Sequence, residues 1–207
     1  MKTLKTYICS SRHPMSKRVT LGIAKSMRPK YKGWRTRHDA KYVPLMLFAF
    51  VLSPTGDRIL AALRVAIKRG TDSRPFPMED AAPQTRIPEI DEWVAEVTGI
   101  TCEDHEALEI LIQDVGQLLL DMGVQFVFAL YNPKDPATSK LLVNDLEFER
   151  LPQIAARYSG FTDKRTGSDA VWEKLRYTRQ QLKDLGKKLR KRGVRASQPV
   201  VDLDLIA

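Results

Sequence analysis

The sequence predicts an α/β (α+β) fold in which a central sheet is flanked by helices and a basic helix stands near the C-terminal end. Two observations support this prediction. Residues Trp93–Phe148 follow the order strand, long amphipathic helix, apolar strand, Asn-Pro break and short helix. Upstream, two apolar runs around a tight turn indicate a hairpin. A chain of 207 residues with 43% apolar content is long enough for one well-buried core.

The N-terminal half is expected to contain one helix and the hairpin. Lys17–Met27 is predicted to be a short helix that ends before Pro29, because the residue before a proline disfavours the helical conformation. The hairpin strands are Tyr42–Ser53 and Arg58–Lys68, although the Ala/Leu content of the second leaves helix as a competitor. Residues 70–90 contain four prolines and are expected to be an ordered loop rather than an element.

The second half has the stronger periodicities. The predicted order begins with a strand at Trp93–Cys102, with Glu96 and Thr98 on one face, and a helix at Glu103–Met122, with Gly123 as its C-cap. A buried strand at Val124–Leu130 and a helix at Ala137–Leu146 after Asp135-Pro136 follow. The last predicted elements are a strand region from Phe148 and a further element near Val171–Tyr177. We divide the chain into residues 1–177 and a basic helical extension and tail, 178–207.

Composition narrows the setting. The longest apolar runs are far shorter than the ~20 residues of a membrane span, and no signal-peptide-like block begins the chain. Cys9 and Cys102 are too few for a disulfide framework, so a reduced, cytoplasmic location is expected. A nucleophilic Cys102 is conceivable, but a small buried residue is the preferred interpretation. The three histidines lack metal-ligand spacing with the cysteines, so no metal is expected.

The net charge of +9 is unevenly distributed. Residues 1–41 hold 12 Lys/Arg against Asp39 alone, and residues 173–195 hold 10 against two acids. The middle of the chain, residues 42–172, carries a net charge of −8. Basic ends favour an anionic partner such as nucleic acid, an acidic carrier protein or a lipid surface, with a merely solvated helix as the alternative at the C-terminal end.

Several short patterns together resemble the GNAT acyltransferase superfamily, and within it the acyl-homoserine-lactone synthases and N-acyl-amino-acid synthases. The first patterns are Arg28 and Trp34 in an aromatic-basic loop, and Asp39 and Tyr42 before the first long strand. Next come Gly56–Arg64 as "G-x-[ILV]-x-[AG]-x-x-R" and Phe76-Pro77-Met78-Glu79 as "P-x-E". The last are Ala95–Ile100 as "A-E-x-[ST]-x-[LF]" and Leu146-Glu147-Phe148 in place of the common Gly-Phe. The resemblance covers about half of the chain. It implies a GNAT-like central mixed, mostly antiparallel sheet.

The resemblance also implies a function: transfer of an acyl group from acyl-CoA or acyl carrier protein to a small amine, either an amino acid or S-adenosylmethionine. Glu96 would be the base that deprotonates the amine, and backbone N–H groups would polarise the thioester carbonyl. The substrate-binding residues carried over from the family pattern are Arg28, Trp34, Asp39, Arg64, Phe76, Glu79 and Thr98. The alternatives are a solvent-facing strand carboxylate for Glu96, a structural salt bridge for Arg64 and an ordinary core or lid aromatic for Trp34.

Two positions depart from the family pattern. Where most members have a glycine-rich pyrophosphate loop at a helix N-terminus, this chain has Cys102-Glu103-Asp104-His105-Glu106-Ala107. Carboxylates there would repel the phosphates of CoA, which favours an acyl carrier protein as donor. The subfamily arginine three residues after the strand glutamate is replaced by Gly99.

Two other functions stay open. The mixture of basic and aromatic residues at Lys30–Arg37, together with a basic helix over Lys174–Arg195, would suit a nucleic-acid-binding protein. The departures at 102–107 and at Gly99 would suit a catalytically silent GNAT fold that serves as a binding or inhibitory module. The sequence leaves the oligomeric state open.

Overall fold

One twisted sheet organises the protein. The computed structural model describes residues 4–32, 45–81, 85–87, 90–167, 169–194 and 197–203. The strands are β1 Thr6–Ser10, β2 Tyr31–Lys32, β3 Leu45–Leu52, β4 Ile59–Arg69, β5 Trp93–Cys102, β6 Val124–Tyr131, β7 Glu149–Asp163, β8 Asp169–Thr178 and β9 Val200–Asp202. Their order across the sheet is β2-β7-β8-β6-β5-β4-β3-β1-β9. The pairs β5–β6 and β1–β9 are parallel and the other pairs are antiparallel, which confirms the predicted mixed, mostly antiparallel sheet.

Helices cover both faces of the sheet. They are α1 Pro14–Met27, α2 Pro77–Ala81, α3 His105–Asp121, α4 Pro136–Ser139 followed by a π-helix Lys140–Asp145, and α5 Arg179–Lys191. The α1 helix and the β4–β5 connection pack on one face, while α3, the π-helix and α5 share the main apolar cluster on the other face. Within the described ranges no helix is long and apolar enough to cross a membrane.

The predictions for residues 17–131 are largely confirmed. The α1 helix begins three residues earlier than predicted, at Pro14, and ends at Met27 before Arg28-Pro29. The second hairpin run is a strand, β4, and not the competing helix. The β5 strand has the predicted bounds, and α3 ends where predicted, with Gly123 at a positive φ of 80°. That backbone conformation favours glycine and allows the immediate turn into β6.

The β4–β5 connection is a correction, because residues 77–81 form the short helix α2 where a loop was predicted. Pro77 is its first residue, and the Glu79 carboxylate accepts a hydrogen bond from the backbone N–H of Phe76 at 2.7 Å. Proline at the first helical position and glutamate two residues later are a helix-start signal. The sequence Phe76-Pro77-Met78-Glu79 therefore signals a helix start. The number of prolines in residues 70–90 had instead suggested a loop.

The segment after β6 also differs from prediction. A regular helix was expected at Ala137–Leu146, but α4 covers only four residues before the backbone widens into the π-helix. Glu147 then adopts a positive φ of 60°. This is the position at which the family pattern has glycine, so the backbone keeps the turn although the residue has changed.

The C-terminal basic run divides between two elements. Lys174 and Arg176 lie in β8, so the basic helix starts at Arg179, within the predicted extension 178–207, and not at Lys174 as the nucleic-acid-binding alternative supposed. Three leucines of α5 pack into the main cluster: Leu182, Leu185 and Leu189. Beyond α5, Ser197 donates its hydroxyl to the buried Asp114 of α3 at 2.6 Å, and β9 adds to the edge of the sheet beside β1. The division at 177/178 stays a prediction.

Candidate functional site

The central feature of the site is the point where β5 and β6 part. The last residue pair between these parallel strands is Val97 with Ala129, while β5 continues to Cys102 and β6 to Tyr131. Thr98 is an extra, bulged residue of β5, because Arg64 of β4 pairs with Gly99 and the next residue, Val65, pairs with Val97. A bulge bends its strand, which separates the ends of β5 and β6. Within the described residues, the β5 edge beyond Val97 has no strand partner on the β6 side.

Glu96 lies one residue before this opening and is buried, with 4% of its surface exposed. Its Oε2 accepts a hydrogen bond from the backbone N–H of Met78 at 3.1 Å. Burial raises its pKa from 4.5 to about 8, while the Met78 hydrogen bond and the charge of Arg64 act to lower the pKa. The solvent-facing alternative is therefore wrong, and the carboxyl group titrates near neutral pH, as suits a general base.

Arg64 lies beside Glu96 on the neighbouring strand. Its Nε donates a hydrogen bond to the Thr98 hydroxyl at 2.6 Å, so these two predicted site residues are in contact. Burial lowers the pKa of the buried guanidinium, and the nearby Glu96 acts to raise it. Arg64, Glu96 and Thr98 thus form one polar group on the face of the sheet that α1 and α2 cover.

Gly99 is tightly enclosed. A Cβ atom added at this position would lie 2.9 Å from Cγ2 of Ile23 in α1. Because α1 packs this closely on β5, there is no room for the arginine of the family pattern. Arg64, the register partner of Gly99, is left as the guanidinium group beside Glu96.

Glu79 and Phe76 belong to the connection between β4 and β5, residues 70–92, which we call the strap. The Glu79 carboxylate accepts hydrogen bonds from the Phe76 and Ile87 backbone N–H groups, at 2.7 and 2.6 Å, and from Lys68 Nζ at 2.9 Å. Phe76 is fully buried in a small apolar cluster with Met78 and Ile87. Both residues hold the strap on the sheet, and their roles toward a substrate stay predictions.

Lys174 was not identified as a site residue from the sequence. It is 2% exposed and donates from Nζ to the strap carbonyl of Thr85 at 2.7 Å. Burial lowers its pKa to about 8, against the opposing influence of Glu79 and Glu96. Its position in a basic run suggested a solvated side chain, and only its two-residue spacing from the apolar Trp172, which places both on one face of the strand, indicated otherwise.

The N-terminus of α3, where family members bind pyrophosphate, is occupied by the protein's own groups. The backbone N–H groups of Glu103 and Asp104 both donate to the carbonyl of Leu60, at 2.7 and 3.1 Å. The Asp104 carboxylate caps the helix by accepting from the Ala107 N–H at 2.9 Å. Glu103 and Glu106 are exposed there. Because these three N–H groups already have acceptors and the exposed side chains are acidic, this turn is unfavourable for an incoming phosphate.

The described part of the segment after α1 contacts the loop that follows β6. Lys30 Nζ contacts Asp135 Oδ2 at 2.7 Å, and β2 pairs with β7. The exposed Arg28 accepts a hydrogen bond from Lys164 Nζ at its carbonyl, at 2.8 Å, and its substrate-binding role stays a prediction. Trp34 and Asp39, also predicted to bind substrate, lie outside the described residues.

Cys102 is a further correction, since it is exposed at the end of β5 and not buried as expected. Partial desolvation of its sulfur raises its pKa. Among the residues described, no cluster of three His, Cys, Asp or Glu side chains could hold a metal ion.

Comparisons with known proteins find similarity in structure only. No protein-family model matches the chain, and no curated protein matches it. An N-acyl amino acid synthase, FeeM, from uncultured soil microbes is 12% identical with a TM-score of 0.59, over 89% of this chain and 96% of that one. BjaI, a CoA-dependent acyl-homoserine lactone synthase solved with SAM and isopentyl-CoA, is 14% identical with a TM-score of 0.54, over 98% and 94%. NAA60 of Arabidopsis thaliana, solved with acetyl-CoA, is 9% identical with a TM-score of 0.55, over 85% and 98%. The likeness confirms the predicted GNAT-type fold.

Proposed function

We propose that this protein is an N-acyltransferase that moves an acyl group from a thioester to a small amine. The observation that carries the proposal is the position of Glu96, a buried carboxyl group one residue before the opening between β5 and β6. Solved proteins of the same fold include acyltransferases described with acyl-CoA and with SAM, which supports this chemistry.

The reaction requires little from side chains. The amine nitrogen attacks the thioester carbonyl carbon, a C–N bond forms, and the C–S bond breaks to release a thiolate. Glu96 takes the proton that the amine loses and can return it to the departing sulfur. Backbone groups on the free edge of β5 beyond Val97 would stabilise the oxyanion that develops on the carbonyl oxygen.

Arg64 indicates the class of acceptor. A buried guanidinium beside the base suits an amine that carries a carboxylate, because the guanidinium fork binds carboxylates in a fixed geometry. An amino acid or S-adenosylmethionine has both groups on the same carbon, which would place the amine near Glu96 when the carboxylate meets Arg64.

The charge around the opening indicates the donor. The turn before α3 is acidic and the N–H groups of Glu103, Asp104 and Ala107 are engaged. Exposed cations lie on the α1 side: Lys17, Lys25, Arg28, Lys134 and Lys164. An acyl carrier protein, which is acidic, would dock on this cationic side, whereas free acyl-CoA would bring its phosphates to the acidic turn. We therefore propose acyl carrier protein as the preferred donor, with acyl-CoA as the alternative.

The proposal is tested by incubating the protein with a panel of acyl-CoA and acyl-carrier-protein donors and amine acceptors, with N-acyl products detected by mass spectrometry. We expect product with at least one pair, and a loss of about 10² to 10⁴-fold in rate for Glu96→Gln with folding intact. If the folded protein yields no product, or if Glu96→Gln is as active as the unchanged chain, this function is wrong.

Donor choice has a separate test. The double charge reversal Lys25→Glu/Lys164→Glu should raise KM for the carrier-protein donor about tenfold and leave KM for acyl-CoA nearly unchanged. The matched control reverses two exposed cations of α5, Lys183 and Lys191. Equal effects of the two double variants would contradict docking on the α1 side.

The engaged α3 terminus also favours a second candidate, a catalytically silent module of the same fold. Absence of turnover together with tight binding of an acyl thioester or an amine would support it.

Nucleic-acid binding stays a prediction. Three cations in the α5 region already contact acids, which reduces the charge they offer to a phosphate backbone: Lys187–Asp184, Lys188–Glu147 and Arg192–Glu109. A cytoplasmic location, inferred from the cysteine content, is likewise part of the proposal.

A further inference from the structure

Two buried lysines hold the strap on the sheet, and they do so in different places. Lys68 of β4 is 4% exposed and donates to the Arg74 carbonyl at 2.8 Å and to Glu79 at 2.9 Å. Lys174 of β8 donates to the Thr85 carbonyl at 2.7 Å. The strap is therefore anchored at both sides of Glu96, which itself accepts from Met78 in the strap.

The surroundings of the two lysines differ in a way that bears on Glu96. Lys68 has a carboxylate in direct contact, so much of its charge is balanced locally by Glu79. The described contacts of Lys174 are two strap carbonyls and the face of the Phe128 ring, whose centroid lies 4.7 Å from Nζ. Burying an ammonium group against neutral partners is costly, and its charge is felt over a longer distance in the apolar surroundings.

Phe128 links Lys174 to Glu96. It is the register partner of Glu96 across β5 and β6, so the two side chains share a face of the sheet. Lys174 stands over the same ring from the β8 side. The charged groups that act on Glu96 come from each neighbouring element: Arg64 of β4 and Lys174 of β8 favour its carboxylate form, whereas Glu79 of α2 opposes that form.

We propose that Lys174 is a positioning residue for Glu96: it fixes the strap above the carboxyl group and, across Phe128, adds to Arg64 a second positive charge that favours the carboxylate form of Glu96. This inference rests on the proposed function, in which Glu96 accepts the proton of the amine. It assigns a role to a buried lysine that lies 78 positions away from Glu96 along the chain.

The test measures the titration of Glu96 directly. The protein is labelled with [5-¹³C]glutamate, the Glu96 carboxyl signal is assigned by its loss in Glu96→Gln, and its midpoint is followed by NMR. In the unchanged protein we expect a midpoint of about 8. In Lys174→Met the midpoint should rise by about one pH unit, and in Lys174→Arg, which keeps the charge, it should rise by much less.

Two further variants separate charge from packing. Lys174→Gln keeps a donor for the Thr85 carbonyl and removes the charge, so it should reproduce the Lys174→Met shift even if the methionine variant fails to fold. Lys68→Gln is the matched control, because it removes the other buried strap lysine. It should lower the melting temperature and move the Glu96 midpoint by much less than Lys174→Gln does.

A Glu96 midpoint in Lys174→Gln within about 0.3 units of the unchanged protein, or equal shifts in Lys174→Gln and Lys68→Gln, would overturn the inference. With an active donor–amine pair, the rate of Lys174→Gln at pH 7 should fall about tenfold and recover at higher pH, whereas a purely structural defect would lower the rate at every pH. The NMR result does not depend on turnover. A shifted midpoint in a protein that transfers no acyl group would uphold the role of Lys174 and reject the proposed function.

Discussion

Charged side chains have opposite surroundings at two places along β5, near its middle and at its C-terminal end. Near its middle, Glu96 is enclosed with Arg64, Lys68, Glu79 and Lys174, and these five side chains are all buried. At its C-terminal end, Glu103 and Glu106 are exposed to solvent, and the N–H groups of Glu103, Asp104 and Ala107 are engaged by the protein itself.

This difference separates two requirements of acyl transfer. A base needs a carboxyl group with a raised pKa, and the burial of Glu96 raises its pKa. A phosphate site needs free N–H groups at a helix terminus, and here Leu60, the bulged residue of β4, directs its carbonyl at them. Under the proposed function, the surroundings of Glu96 meet the first requirement and the acidic turn before α3 opposes the second, so the chemistry and the mode of donor binding can be tested independently.

The largest expected effect on stability concerns the buried charges around Glu96. Glu79→Ala leaves Lys68 without its carboxylate and the Phe76 and Ile87 N–H groups without acceptors. We expect a loss of about 3 to 5 kcal/mol in the free energy of unfolding, measured by urea denaturation. Glu79→Gln, which keeps one acceptor oxygen, should lose clearly less. Equal losses would show that the side-chain volume and not the hydrogen bonds matters.

The second prediction uses the pH dependence of stability. The folded-state pKa of Glu96, about 8, lies above its ordinary value of 4.5, so between these values the folded chain binds more protons than the unfolded chain. Stability from this group is complete below pH 4.5 and declines as the pH rises toward 8. Glu96→Gln should remove that decline and be more stable than the unchanged protein at pH 8 by up to about 4 kcal/mol, measured by urea denaturation at several pH values. Parallel curves for the two proteins would contradict a raised pKa.

The third prediction concerns Gly99, which lies in β5 between Glu96 and the C-terminal end of the strand. Gly99→Ala would place a methyl group 2.9 Å from Ile23 Cγ2, so we expect a loss of about 1 to 3 kcal/mol. On an Ile23→Ala background the same change should cost less than about 0.5 kcal/mol, because the obstructing methyl group is gone. Thermal denaturation of the four proteins measures this coupling, and additive losses would place the strain elsewhere.

The fourth prediction tests the acidic end. Glu103→Gln/Glu106→Gln removes two carboxylates from the α3 terminus without disturbing the Asp104 cap. The affinity for acyl-CoA should rise about threefold to tenfold, measured by calorimetry at low salt, with a smaller gain at high salt. The control Glu109→Gln, one turn further along, should change the affinity less. No gain in either variant would mean that the engaged N–H groups alone exclude the phosphates.

The sequence predicted the elements whose signal is local. The β5 strand, α3 and β6 have clear periodicities, and Glu96 was found through the motif that contains it. The strands β1, β2 and β9 were missed, because each is short and pairs with residues far away along the chain. Lys174 was missed for the same reason, since its role depends on Thr85 and Phe128. Patterns in sequence report the face on which a residue lies, but contacts across the sheet arise only in the folded chain.

The smallest expected effect lies at Glu147, which keeps a left-handed backbone where the family pattern has glycine. A non-glycine residue at φ 60° costs about 1 kcal/mol, and Glu147 regains part of this through an exposed contact with Lys188 at 2.7 Å, worth at most about 0.5 kcal/mol. Glu147→Gly should therefore stabilise the protein by about 0.5 kcal/mol, after allowance for the greater freedom of glycine in the unfolded chain. Glu147→Ala, which keeps the strain and loses the ion pair, should be slightly destabilising. Thermal denaturation distinguishes them. Because both variants lack the Lys188 contact, a glycine variant less stable than the alanine variant would show that the left-handed backbone at this turn carries little strain.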